Sequence, residues 1–377
     1  MPCIKSCEAC IHRGLFCNGD TLGCDSCLRG GFICTAEDYR DCPVVSQPAW
    51  VEQQATAAEV TRFQTEDIIT THFALITSLT TFYDTLISMH YLRENEVIRP
   101  PQVAQQIDLP ALVQSRFEAE TIALILHLPQ INIRRTGDAE IDILPDGFLP
   151  FPYLNLSNLQ TISHDNHARD PFYHNEDDER DWSIPPWTCF ITRPDSQRGY
   201  GFHHCRIYDM RSKTLGLWSL GLWSYAMLPG VREGQSDMNN DGRVLIDARP
   251  AEEVIGEWIA RLHSLEWLPS LTSADRKIET ARTGENFNDA LARARDMQDE
   301  WKIGSIRRQR QDYNKYWAQR AIYAACGWPG QLQSEELGRR KSEWTAAVQR
   351  LHSRLWQEGG EEELEEYYRS LAGDRAL

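Results

Sequence analysis

This sequence has little that would place it in a membrane. Its longest run free of charge and histidine, Thr214 to Val231, is 18 residues but carries three glycines, two serines and a proline, a poor bilayer span. The start, Met1-Pro2-Cys3-Ile4-Lys5, lacks the apolar core of a secretory leader, which points to a reducing compartment. Positive charge is scarce as well. Lys and Arg number 39 against 55 Asp and Glu, a net charge of −16, so any nucleic-acid contact must come from a local basic patch. Catalytic signatures are also missing: no Gly-x-Ser-x-Gly elbow, no Walker A loop, no Gly-x-Gly-x-x-Gly and no His-Glu-x-x-His. The expectation is a soluble, intracellular, non-enzymatic protein with no evident small-molecule substrate.

What is present is a globular composition. The 377 residues are 41% hydrophobic and 25% charged, enough for a sizeable core and unlike a disordered or collagenous chain. The cysteines are distributed unevenly. Eight of the eleven lie within the first 42 residues, while Cys189, Cys205 and Cys326 are isolated and read as small buried hydrophobes.

The N-terminal set holds Cys7-x2-Cys10-x6-Cys17-x6-Cys24-x2-Cys27-x6-Cys34, in which the second half repeats the first. A two-residue spacer lets both thiolates of a knuckle reach one tetrahedral zinc at about 2.3 Å. Six thiolates fall two short of two separate four-thiolate sites, yet two ions can each be four-coordinate if two sulfurs bridge. The repeat makes Cys7 and Cys24 the symmetric bridging pair. A disulfide framework is the alternative, disfavoured by the lack of a secretory leader. Cys3 and Cys42 fall outside the pattern.

All six ligand positions and all five spacings resemble the fungal Zn2Cys6 binuclear cluster, the DNA-binding module of many fungal transcription factors. The resemblance covers about 30 of the 377 residues. It implies two Zn²⁺ per chain on Cys7, Cys10, Cys17, Cys24, Cys27 and Cys34, and a nuclear regulator of transcription (the alternative location being the cytoplasm). In the family the loop between the second and third cysteines enters the major groove. Here it is Ile11-His12-Arg13-Gly14-Leu15-Phe16, so Arg13, helped by His12, is the candidate DNA contact. Gly14 stands where the family has another basic residue, and it weakens a helix. The second loop, Asn18 to Gly23, has no basic residue, and two Arg face one Glu and two Asp between Cys7 and Cys34. A surface with so few cations releases few counterions. The competing expectation is a protein-interaction module in which zinc is a structural staple, since about 40 residues cannot otherwise bury a core.

Beyond this head, residues 46–65 read as a linker, 66–272 as a mixed helix and antiparallel-sheet domain, and 273–377 as a helical region, an α+β arrangement overall. Apolar residues recur at helical spacing from Glu66 to Tyr91, a second helix spans Glu118 to Leu128, and Ala251 to Leu268 is amphipathic behind Pro250. Strands are expected at Trp187–Thr192, Cys205–Asp209 and Leu215–Trp223. Leu215-Gly-Leu-Trp-Ser219 recurs at once as Leu220 to Ser224. An odd insertion swaps faces in a strand, so a bend or bulge is expected. Gly327-Trp328-Pro329-Gly330 should break the last helices. Pro186 to Leu268 resembles the SUKH superfamily through Arg206-Ile-Tyr-Asp209, Thr214 to Trp218 and the helix from Pro250. The body also resembles uncharacterised filamentous-fungal proteins with a similar Tyr…Gly-Trp-Pro helix pair.

Six other groupings carry candidate chemistry. Asp237, Asn239, Asp241, Gly242 and Val244 match the first half of a calcium loop, but position 12 is Ala248, so a polar turn between strands fits better. His164, His167 and His174, with Asp165 and Asp170, lie in a polar loop, and Asp177, Asp178 and Glu179 form a solvated charge run. His203 and His204 should face opposite sides of a strand. Lys302 to Arg320 carries six Lys/Arg with interleaved Trp and Tyr; an amphipathic helix with its aromatics in the core is expected, nucleic-acid contact being the alternative. Gly338-Arg-Arg-Lys341 is a weak nuclear-import motif.

Overall fold

The computed structural model describes residues 60, 66–132, 141–145, 148–155, 184–194, 204–219, 236–238, 244–271, 276–280, 287–297, 300–355 and 360–372. All of them belong to one unit made of Gln53–His174 and Trp182–Leu377.

The chain enters through α1 (Glu66–Thr71) and α2 (Phe73–Ser88). Leu75, Leu79, Phe82 and Leu86 recur three and four apart in α2 and are all buried, the apolar stripe of a core-facing helix. Tyr91 and Leu92 then turn into a two-residue strand, β1 (Val97–Ile98), which pairs with β2 (Gln130–Ile131). Between them lie α3 (Gln102–Gln106), α4 (Leu109–Gln114) and α5 (Ala119–His127). The Asp108 carboxylate accepts from the Ala111 amide and caps α4, satisfying one of its free N–H groups.

A five-stranded antiparallel sheet forms the centre. Its strands are β4 (Thr188–Phe190), β6 (His204–Asp209), β7 (Thr214–Ser219), β8 (Ser236–Met238) and β9 (Val244–Pro250), in the order β4-β6-β7-β9-β8. The expected Trp187–Thr192 strand divides in two. β5 (Thr192–Pro194) leaves the main sheet and pairs with β3 (Phe148–Pro150) instead. A register shift lies between Leu215 and Leu217 of β7, opposite β9. Leu215 faces Arg249 and Leu217 faces Ile246, so the extra residue of the bulge is on β9, where Asp247 has φ 52°, and the second pentapeptide lies outside the described residues.

β9 runs straight into α6 (Ala251–His263). Val254, Ile255, Trp258 and Leu262 are buried, and Trp258 meets Phe82 of α2 edge-on at 5.5 Å between ring centroids. The helix stops five residues before the expected Leu268. Leu265 takes a left-handed φ of 57°, and Trp267–Pro269 become β10, paired with β11 (Ile278–Thr280). The cause is tertiary. Tyr316 and Arg320, more than fifty residues on, donate to the Leu265 carbonyl, fixing that backbone away from helix.

The rest is α7 (Phe287–Asp296), α8 (Glu300–Ala325), α9 (Ser334–Leu355) and α10 (Gly360–Ala372). The break at Gly327-Trp328-Pro329-Gly330 occurs as expected. Gly327 has φ 94°, and a Cβ there would sit 2.6 Å from the Gln331 carbonyl. The Gln333 amide donates to the Cys326 carbonyl at 2.8 Å, closing the turn. α8 packs along α10, and the Trp344 ring of α9 stacks on Tyr368 at 5.1 Å. One hydrophobic core joins Leu75 of α2 to Ala372 of α10. Among the described residues no helix is long and apolar enough to cross a membrane.

Candidate functional site

Cys7, Cys10, Cys17, Cys24, Cys27, Cys34, His12 and Arg13 all lie outside the described residues, as do His164, His167, His174 and Asp177 to Glu179. Of the calcium-like loop, Asp237 and Met238 are in β8, hydrogen-bonded to β9, and residues 239–243 are outside. Among the described residues no group of three or more His, Cys, Asp and Glu is placed to hold a metal ion. Cys189, Cys205 and Cys326 are buried thiols outside any disulfide. Burial raises the pKa of Cys189 and Cys326, which keeps them protonated and poorly nucleophilic.

The basic stretch 302–320 forms the central part of α8. Its aromatics mostly turn inward: Tyr316 is buried, Tyr313 and Trp317 are half-buried, and Trp301, just before the stretch, is 78% exposed. Several of its cations are engaged within the fold. Arg310 pairs with Glu365, Lys315 with Glu279, and Arg320 donates to the Ser264 and Leu265 carbonyls. This is the arrangement of a packed amphipathic helix. In α9, Arg339 pairs with Glu336 and Glu343, and Arg340 with Glu336, so two of the three import-motif cations are bound to their own helix.

Three buried polar networks fix the scaffold. Arg249, at the end of β9, reaches Asp247 at 2.8 Å and Glu253 and Glu257 of α6 at 2.7 Å. These carboxylates raise its pKa, Glu257 contributing most. Glu96, 1% exposed, is clasped by Arg276 at 2.8 Å; hydrogen bonds and charge from Arg276 and Arg93 outweigh the burial cost and hold its pKa low. His72, between α1 and α2, shares a 2.9 Å hydrogen bond with the Tyr208 hydroxyl of β6. Burial and the nearby Lys213 lower its pKa to about 4, so the ring is neutral at physiological pH.

A cleft of about 900 Å³ lies between α2 and α9, within the size range of small-molecule sites. One wall is the C-terminal half of α2 and the turn after it, with Asp84, Ser88, His90, Arg93 and Glu94. The opposite wall is the turn at Trp328 and Pro329 and the first two turns of α9, with Leu337, Gly338 and Lys341. His263, at the end of α6, closes one end and meets Trp328 edge-on at 5.5 Å. The Trp328 indole N–H donates to the Leu262 carbonyl at 2.9 Å, which sets the ring's orientation.

The charges in the cleft are unevenly matched. Asp84 and Glu94 both pair with Arg99. Among the described residues no carboxylate forms an ion pair with Lys341; its ammonium donates to the His90 carbonyl at 3.3 Å. Burial, with Arg276 and Arg93 nearby, lowers its pKa. His90, in the left-handed region at φ 56°, is also shifted down by burial and by Lys341. The sequence shows the turn at 327–330 but not this cleft, whose walls come from segments about 240 residues apart.

No family model, no curated protein and no solved structure matches this chain.

Proposed function

We propose that the chain is a fungal zinc-cluster protein acting as a nuclear regulator of transcription. Cys7, Cys10, Cys17, Cys24, Cys27 and Cys34 hold two Zn²⁺, and Arg13 with His12 contacts DNA. The single supporting observation is the cysteine spacing: six thiolates in two matching halves are a soft, fully sulfur donor set suited to zinc. The metal orders the head by joining ligands that no apolar core would bring together. The body from Glu66 onward serves as a regulatory or protein-interaction domain, not an enzyme.

A second reading has its own observation. The loops between Cys7 and Cys34 carry a net charge of −1, so the cluster is a structural staple for a protein interaction and does not bind DNA. The two readings part on purified full-length protein. A regulator selects a sequence from random DNA, loses affinity steeply with salt, and weakens when Arg13→Ala removes its main cation. A staple holds zinc and does none of these. Metal analysis that finds no zinc, with cysteines paired as disulfides by mass spectrometry, defeats both.

A further inference from the structure

The strongest unassigned feature of the described body is the cleft between α2 and α9. Its electrostatics are unusual for an acidic protein. Two carboxylates line it, Asp84 and Glu94, and both pair with Arg99, whose single charge offsets one of them. The third nearby carboxylate, Glu96, is clasped by Arg276 and has Arg93 at 4.0 Å. Lys341 remains; among the described residues its one hydrogen-bond partner is the His90 carbonyl. Among these groups four cations thus face three anions, which leaves the charge of one lysine to be met. A half-buried ammonium without a carboxylate partner loses part of its hydration, and an anion beside it recovers that cost.

Apolar groups form part of the remaining lining: Trp328 and Pro329 stand on the wall that carries Lys341, with the polar Ser88, His263 and Ser334 elsewhere around the cleft. Gly338 lies on the same helix wall, and a Cβ built there meets no atom within 4 Å. The absence of a side chain at this position therefore leaves open space in the cleft, not a close helix contact.

We propose that the cleft binds a small organic monoanion, a carboxylate on a flat apolar body, with the carboxylate on Lys341 and the body against Trp328 and Pro329. One uncompensated positive charge suits a carboxylate better than a doubly charged phosphate. The rigid indole edge suits a planar ring. This inference is independent of the zinc head and of whether DNA is bound.

The test uses the full-length protein and isothermal titration with four acids (benzoate, phenylacetate, indole-3-acetate and 2-naphthoate), each beside its neutral amide. At least one acid should bind with a Kd below about 1 mM and about tenfold tighter than its amide. Lys341→Met should abolish that preference. Gly338→Leu should weaken acid and amide alike by tenfold or more while the melting temperature holds or rises, separating a filled cleft from a damaged fold. The proposal is overturned if no acid binds saturably, if acids and amides bind equally, if an inorganic phosphate control binds more tightly than every acid, or if either variant binds like the parent.

Discussion

The first 45 residues and the body from Glu66 onward meet the same entropic problem by different means. Ordering a residue costs about 1–2 kcal/mol in backbone freedom alone. The body offsets this with a core that runs from Leu75 to Ala372 and contains Phe82, Trp258, Tyr323 and Trp344. The head is too short for such a core, and under the proposal six sulfurs and two ions replace it. In one region the ordering is distributed over dozens of side chains; in the other it rests on six. The two should therefore fail separately, and for different insults.

The largest expected effect is in the head. Cys17→Ser, or a strong chelator, should lower the zinc content from two ions per chain and disorder residues 1–45, because structural zinc is worth about 10–16 kcal/mol to such modules. The melting transition of the body should stay where it was. Metal analysis with limited proteolysis measures both, and a body that melts along with the head would break the contrast.

The converse change is Trp344→Ala. This ring is fully buried and stacked on Tyr368, so its loss should cost about 3–5 kcal/mol in urea unfolding and leave zinc bound. A smaller effect comes from pH. His72 ionises at about 4 in the fold against an ordinary 6.5. The unfolded chain takes up this proton first, so the contribution of His72 is intact above pH 6.5 and is lost as pH falls towards 4. His72→Gln should remove about 1–2 kcal/mol of that acid sensitivity, seen as a flatter stability profile over this interval. The smallest is Gly338→Ala, which should raise the stability of the body by about 0.8–1 kcal/mol, since the helix gains propensity and the added methyl meets nothing.

Legibility in the sequence follows the same division. Cysteine spacing is a local property, so the proposed ligand set of the head follows from the chain alone, and it lies outside the described residues. In the body, local periodicity located α2, α5 and the start of α6, because each carries its own apolar stripe. It misplaced the end of α6, where Tyr316 and Arg320 capture the Leu265 carbonyl from far along the chain. It joined β4 to β5, which separate only because β5 finds β3. The cleft was beyond reach for the same reason: Lys341 and His90 have no relation in sequence, and only the packing of α9 beside α2 makes them neighbours.

The Tyr323 hydroxyl donates to the carbonyls of both Met89 and Pro269, and the first of these bonds spans 234 positions. At about 5–20 residues per second of translation, α2 leaves the ribosome on the order of 10–50 s before the tyrosine that secures it. Until α6 follows, about 170 residues on, its oily stripe lacks the partner that Trp258 supplies, and molecular chaperones have a natural opening. Under the proposal, the cysteine segment, complete within its first few dozen residues, would need only a supply of cations and would settle long before synthesis ends.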